Sequence, residues 1–228
     1  MIRAIAIDID GTMTSSDRKI DVAAIGAVRK AEAAGLQVVL STGNILPFAE
    51  GIATMLGTSG PLIAEDGGVV FDPKTGEEHV LGDRVESDRG LNALEKVFGR
   101  LEHTRSSYHR LTGLTLQRVI TARQAMEVFR KNGLDLVAVD SGFAVHIRSL
   151  NVNKGNALRK VASLLGVTTA DIAAMGDGEN DVEMLQVAGL SFAPANAHEA
   201  AKKVSTYVTK SPDGRGVAEA VDQILSLR

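Results

Sequence analysis

The amino-acid sequence predicts an α/β fold: a doubly wound parallel sheet with a small α+β unit inserted in its middle. Three observations predict it. Short apolar runs alternate with amphipathic helical segments at both ends of the chain. Between them the alternation gives way to a helix-strand-strand pattern that occurs twice. Finally, acidic and hydroxylated motifs follow directly after apolar runs, at the strand ends where a parallel sheet opens onto its ligand crevice.

In chain order, Ala4-Ile5-Ala6-Ile7 is apolar throughout, as a strand covered on both faces must be. Asp21 to Ala34 carries Val22, Ile25 and Val28 at helical spacing, and Gly35 stops it. Leu36 to Leu40 is a second buried strand. Ser41-Thr42-Gly43-Asn44 follows, and a helix opens around Pro47, a residue tolerated in a first turn. Leu62-Ile63-Ala64 is a third strand. Val69–Phe71 and His79–Leu81 flank Pro73-Lys74-Thr75-Gly76 as a hairpin.

The middle segment starts with a helix from Ser87 to Phe98. Strands are expected near Thr104–Ser107 and Gly113–Gln117. A second helix runs from Ala122 to Asn132, closed by Gly133. Leu136–Val139 and Phe143–Ile147 are strands joined by the turn Ser141-Gly142. The βα alternation then resumes. Helices are expected over Asn156–Leu165, Glu179–Val187, His198–Val204 and Val217–Leu227, with strands at Ile172–Met175, Leu190–Ala193 and Tyr207-Val208. Residues 1–82 and 153–228 thus form a discontinuous core domain, and residues 83–152 an inserted one. The joints are expected at Leu81-Gly82-Asp83 and Asn151-Val152-Asn153.

Composition narrows the function. A net charge of −3 gives no basic footprint for nucleic acid. The chain has no cysteine, so a metal site must use carboxylate, imidazole or backbone oxygen, which favours hard cations. The N-terminus lacks the apolar core of a signal peptide, and no run is long enough to span a bilayer. A cytoplasmic protein without a membrane partner is expected.

Asp8-Ile9-Asp10-Gly11-Thr12 closes the first strand and puts two carboxylates at one crevice. Alone, it reads equally well as an Asp-Gly turn. Gly176-Asp177-Gly178-Glu179-Asn180-Asp181 follows the strand Ile172–Met175. A helix start favours acids through its dipole, which accounts for Glu179. It accounts poorly for Asp177 and Asp181 beside Asp8 and Asp10. Four carboxylates at one crevice repel unless a cation separates them, and oxygen-only ligands suit magnesium. Thr42 with the backbone of Gly43 and Asn44 could hold a phosphate at a helix entrance. Lys154 opens a helix against the dipole, which points to a functional lysine.

The set resembles the haloacid dehalogenase-like hydrolases, whose motifs are an Asp-x-Asp-Gly-Thr strand end, a Ser/Thr strand end, a Lys and a Gly-Asp-x-x-x-Asp turn. Here they are Asp8–Thr12, Thr42, Lys154 and Gly176–Asp181, in the family's order. The insertion looks like that family's cap. Gly-Asp-Gly-Glu-Asn-Asp and the two helix-strand-strand units are similar to the Cof-type branch. Leu40–Asn44 and Gly60–Gly68 look most like archaeal-type phosphoglycolate phosphatases. One departure is Thr42-Gly43-Asn44, where many Cof-type members have Thr-Gly-Arg.

The resemblance implies a Rossmann-like core and a magnesium-dependent phosphatase acting on a small phosphate monoester, 2-phosphoglycolate first. It implies Asp8 as nucleophile, Asp10 as general acid and base, and Thr42 and Lys154 on the phosphoryl oxygens, with Gly43 and Asn44 beside them. Mg²⁺ would be held by Asp8, Asp177, Asp181 and the backbone carbonyl of Asp10. A sugar-phosphate phosphatase, a phosphomutase and a phosphorylated receiver-type signalling module are the alternatives, and a homodimer is left open. Outside these motifs, Glu65-Asp66-Gly67-Gly68 reads as a bland acidic turn. Asn180 reads as orienting a ligand or loop, and His146 as a satisfied or exposed histidine. Arg105 and Arg110 read equally as solvated charges or as partners of a substrate carboxylate.

Overall fold

The computed structural model describes residues 1–227. The first part of the chain folds as β1 (Ala4–Asp8), α1 (Val22–Ala33), β2 (Gln37–Ser41), α2 (Leu46–Leu56), β3 (Leu62–Ala64), β4 (Val69–Asp72) and β5 (Glu77–Val80). The middle adds α3 (Val85–Phe98), β6 (Leu114–Leu116), α4 (Ala122–Lys131), β7 (Leu136–Asp140) and β8 (Val145–Ser149). The last part is α5 (Lys154–Leu165), β9 (Ile172–Met175), α6 (Val182–Val187), β10 (Leu190–Ala193), α7 (Glu199–Val204), β11 (Tyr207–Val208) and α8 (Asp213–Ser226).

Eight strands form one sheet in the order β11-β10-β9-β1-β2-β3-β4-β5. Strands β11 to β3 run parallel, and the β4–β5 hairpin is antiparallel. The winding reverses at β1, which lies between β2 and β9. Asp8 at its carboxyl end therefore stands at the topological switch point, where such sheets bind ligands. Alternation along β1 supplies both helical layers. Ile5 and Ile7 pack with α1, α2 and α8 residues such as Val28, Ala49 and Ile224. Ala4 and Ala6 pack with Leu158 and Val161 of α5 and Met184 of α6. Local signals set the helix ends. Asp21 accepts the Ala23 N–H at 2.9 Å ahead of α1, and Asn153 accepts the Asn156 N–H at 2.8 Å ahead of α5.

The middle segment builds a separate antiparallel sheet, in the order β6-β8-β7. One face packs on α3 and α4 through Leu114, Leu116, Val145 and Ile147 against Leu94, Val128 and Phe129. The alternate residues Thr115, His146 and Val139 form one row across the three strands. That row lines the cleft toward the large sheet.

Three expectations are corrected. The strand near Thr104–Ser107 is a 3-10 turn over Arg105–His109, so the first helix-strand-strand unit has one strand only. The hydroxyl-rich segment offers its backbone another partner: Ser107 Oγ takes the Thr115 N–H at 3.0 Å, and the Ser107 N–H closes on Thr104 O at 3.1 Å. A single bridge, His103 to Leu116, remains where the strand was expected. Glu179–Val187 divides into a 3-10 turn over Glu179–Asp181 and the short α6. The closing helix begins at Asp213, a turn earlier than Val217.

Candidate active site

The Asp8 carboxylate is nearly fully buried at the end of β1. Lys154, in the first turn of α5, has no exposed surface, and its Nζ lies 2.5 Å from Asp8 Oδ1 and 2.6 Å from Asp181 Oδ1. Asp181 Oδ2 accepts the backbone N–H groups of Asp177 at 3.1 Å and Gly178 at 2.9 Å. Oxygens of Asp8, Asp177 and Asp181 all lie within 4.8 Å of one another. Gly11 makes this crowding possible. Its φ is +89°, and a Cβ there would strike the Asp177 carboxylate. Thr12 Oγ1 donates to Asp177 Oδ1 at 2.7 Å.

The charges in this cluster do not balance. Burial and the neighbouring Asp181 push the Asp8 carboxyl well above its ordinary range, against the opposing pull of Lys154. The same two causes push Asp177 up to about 6. Burial would lower the Lys154 ammonium, but Asp181 and Asp8 outweigh it and hold the lysine charged. One buried cation thus faces two buried carboxylates and a half-buried third. A divalent ion on oxygen ligands fits this donor set.

The structure separates one of the four carboxylates expected to converge. Asp10 is not part of the cluster. Its Oδ2 accepts from Asn44 Nδ2 at 2.9 Å, and its Oδ1 pairs with Arg18 at 3.0 Å. Thr42 is fully buried, and its Oγ1 accepts the Asn44 N–H at 3.0 Å. Gly43 and Asn44 line the cleft between the large sheet and the middle segment, as do Asp8, Asp10 and Asp177.

Four residues were undervalued by the sequence. Glu65 and Asp66 are not a solvated turn: they are 2% and 3% exposed. Both adopt left-handed backbone, with φ of 54° and 57°, a strained state for such residues. Glu65 accepts the Leu111 N–H at 3.0 Å, and from both the N–H and the hydroxyl of Thr112, at 3.0 and 2.9 Å. Asp66 pairs with His146 Nδ1 at 2.7 Å and Arg110 at 3.4 Å, and accepts from Asn180 Nδ2 at 3.0 Å. Burial alone would raise the Asp66 carboxyl, but His146, Arg110 and Lys154 together hold it well below the usual range. Its partners lie 44 to 114 residues away in the chain, so no local pattern announces them.

A doubly wound sheet whose switch-point strand ends in a buried aspartate, with two further carboxylates and a buried lysine, defines an acid-centred α/β hydrolase site. The chain belongs to the haloacid dehalogenase-like hydrolases, which match residues 5–100 and 101–221. It is 41% identical to a phosphoglycolate phosphatase of Archaeoglobus fulgidus over 226 residues, covering 99% of this chain and 98% of that one. It is 37% identical to a phosphoglycolate phosphatase of Methanothermobacter thermautotrophicus, covering 98% and 99%. A crystal structure of a Thermoplasma acidophilum protein superposes with a TM-score of 0.89 at 27% identity, covering 99% of each chain. A haloacid dehalogenase-like hydrolase of Bacteroides thetaiotaomicron shares the fold, with a TM-score of 0.79 at 20% identity over 98% of this chain and all of that one. Among the described residues, no helix is long and apolar enough to cross a membrane.

Proposed function

We propose that this enzyme hydrolyses 2-phosphoglycolate to glycolate and phosphate through a phosphorylated Asp8, with Mg²⁺ as cofactor. The observation that carries the chemistry is the Asp8–Lys154–Asp181 arrangement, buried at the strand end beside Asp177. The substrate reading rests on relatives of that activity that align over nearly the whole chain.

Asp8, Asp177 and Asp181 are the side chains that would hold the ion. When bound, it supplies positive charge that keeps Asp8 ionised and offsets the charge of the phosphoryl group. Asp8 attacks phosphorus, and the ester P–O bond breaks. Asp10, beside the cleft but outside the acid cluster, serves as the general acid for the departing alkoxide, a role that requires it to leave its ion pair with Arg18 and take up a proton first. Its carboxylate then takes a proton from water as that water attacks the aspartyl-phosphate. Phosphate leaves and Asp8 is regenerated. Lys154 balances charge at Asp8 throughout, and the loop Thr42–Asn44 flanks the phosphoryl site. Residues 83–152 act as a cap over the core formed by residues 1–82 and 153–228. Closure of that cap limits water during the first step.

Phosphate release from a panel of esters tests the reading. The expected result is the highest kcat/KM for 2-phosphoglycolate, abolished by chelation and restored by Mg²⁺. A higher value for a sugar phosphate, or activity that survives exhaustive chelation, would reject it.

A further inference from the structure

The cleft between core and cap measures about 730 Å³. That is roomier than a two-carbon ester needs, so fit by size alone does not select one. Selection must come from charge, and one element of the cap underside offers it. Arg110 follows the 3-10 turn of the cap, and its side chain is only 3% exposed. Its NH1 donates to Gly43 O at 2.8 Å, in the loop whose next residue, Asn44, reaches Asp10. Among the described residues, its Nε is buried with no hydrogen-bond partner. A buried guanidinium N–H without an acceptor is costly, and such a group in a ligand cleft marks a place for an anion.

His146 completes the arrangement. Its Nδ1 is committed to Asp66 at 2.7 Å, which leaves Nε2 as the ring nitrogen without a partner among the described residues. The ring stands beside the core loop, for a Cβ built on Gly43 would lie 3.2 Å from its Cε1. Both residues line the cleft. Asp66 does not repel an incoming anion strongly, since its own charge is taken up by Arg110, His146 and Asn180. Arg110 brings a fixed positive charge, and Asp66 meets it only at NH2, at 3.4 Å.

We infer that Arg110 Nε and His146 Nε2 form the seat for the carboxylate of the substrate, the phosphoryl group lying at Asp8. The core turn Glu65-Asp66 positions both. This inference rests on the phosphatase reading and names the recognition element within it.

The test compares kcat/KM for 2-phosphoglycolate with that for ethyl phosphate, which keeps the two carbons and lacks the carboxylate, and includes 3-phosphoglycerate. The readout is the ratio of carboxylate ester to ethyl phosphate. In R110Q that ratio should fall about 30-fold, mainly through KM, because charged hydrogen bonds to the anion are lost. In H146Q it should fall about 5-fold, and R110K should recover part of the R110Q loss, since charge returns without the fork. Should R110Q not fold, the same ratio in R110K and H146Q decides. A ratio within threefold of wild type in every folded variant would overturn the seat. So would equal losses on both esters, which mean a structural role, or a wild type that favours no carboxylate ester. A wild type that prefers 3-phosphoglycerate, and loses that preference in R110Q, would overturn the 2-phosphoglycolate reading while supporting the seat. A preference for 2-phosphoglycolate that the variants leave intact would do the reverse.

Discussion

Two acidic groups lie close together in this molecule, and their electrostatics run in opposite directions. Asp8, Asp177 and Asp181 are crowded around a single lysine, and Asp8 and Asp177 are pushed toward the protonated form. Glu65 and Asp66 are as deeply buried, yet Asp66 is held firmly ionised. Burial penalises a carboxylate in both places. What differs is the supply of donors. The Glu65-Asp66 turn meets an arginine, a histidine, an amide and two backbone N–H groups. Unbalanced acids mark where an external cation belongs, and balanced acids mark where two parts of the chain are fastened together.

The sharpest way to break this contrast is to remove charge from each side in turn. Asp8→Asn should lower turnover by more than about a thousandfold while the far-ultraviolet circular dichroism stays unchanged, because an amide does not attack phosphorus. Residual activity above that level would take the nucleophile role from Asp8. Asp66→Ala should act mainly on stability. It strands Arg110 and His146 in a buried setting, at a cost of about 3 kcal/mol, measurable by urea titration. A change below about 0.5 kcal/mol would show that the turn fastens nothing.

The third prediction sets the clusters against each other in one measurement. Mg²⁺ should raise the melting temperature of the wild type by several degrees at millimolar concentration, by mass action on the folded state. Asp177→Asn should shrink that shift, and Asp66→Ala should retain it. Equal shifts in Asp177→Asn and wild type would place the ion elsewhere.

The smallest expected effect is a slope. Burial and Asp181 push the Asp177 carboxyl up to about 6 in the folded chain, above its ordinary value when unfolded. The folded state therefore binds more protons between about pH 4 and 6, and the stability of the metal-free protein should rise as pH falls from 7 toward 5. Asp8, also raised, adds to the same direction. Asp66 works oppositely: its contribution is present above its unfolded value and is lost only as pH falls through its lower folded value. A melting temperature that falls steadily from pH 7 to 5 without metal would contradict this ordering.

The core was legible because its signals are local. Apolar runs such as Ala4–Ile7 and Ile172–Met175 end in their own functional residues, so strand and site are read together. Lys154 stood out because a cation at a helix start goes against the dipole, and its burial between Asp8 and Asp181 gives the reason. The Thr104–Ser107 strand failed because side-chain hydroxyls compete with ladder hydrogen bonds, which apolar periodicity does not register. The Glu65-Asp66 turn failed for a different reason. Its meaning lies wholly in distant partners, and an acidic pair before two glycines looks the same whether solvated or buried. Asp177 and Asp181 looked equivalent in sequence, yet Asp181 also anchors Lys154 and two backbone N–H groups. Substituting it should cost folded stability as well as metal affinity.

Arg18 leaves the first strand's loop, pairs with Asp10 at 3.0 Å and lies 4.6 Å over the ring of Phe143 at the tip of the β7–β8 turn. A stretch of core and the far tip of the insertion are thereby joined through one guanidinium. The consequence concerns exchange of parts: the tip aromatic and the loop arginine are one contact shared between the insertion and the core. A chimera that transplants residues 83–152 without an aromatic residue at the tip would lose this contact, worth about 0.5–1 kcal/mol at exposed side chains.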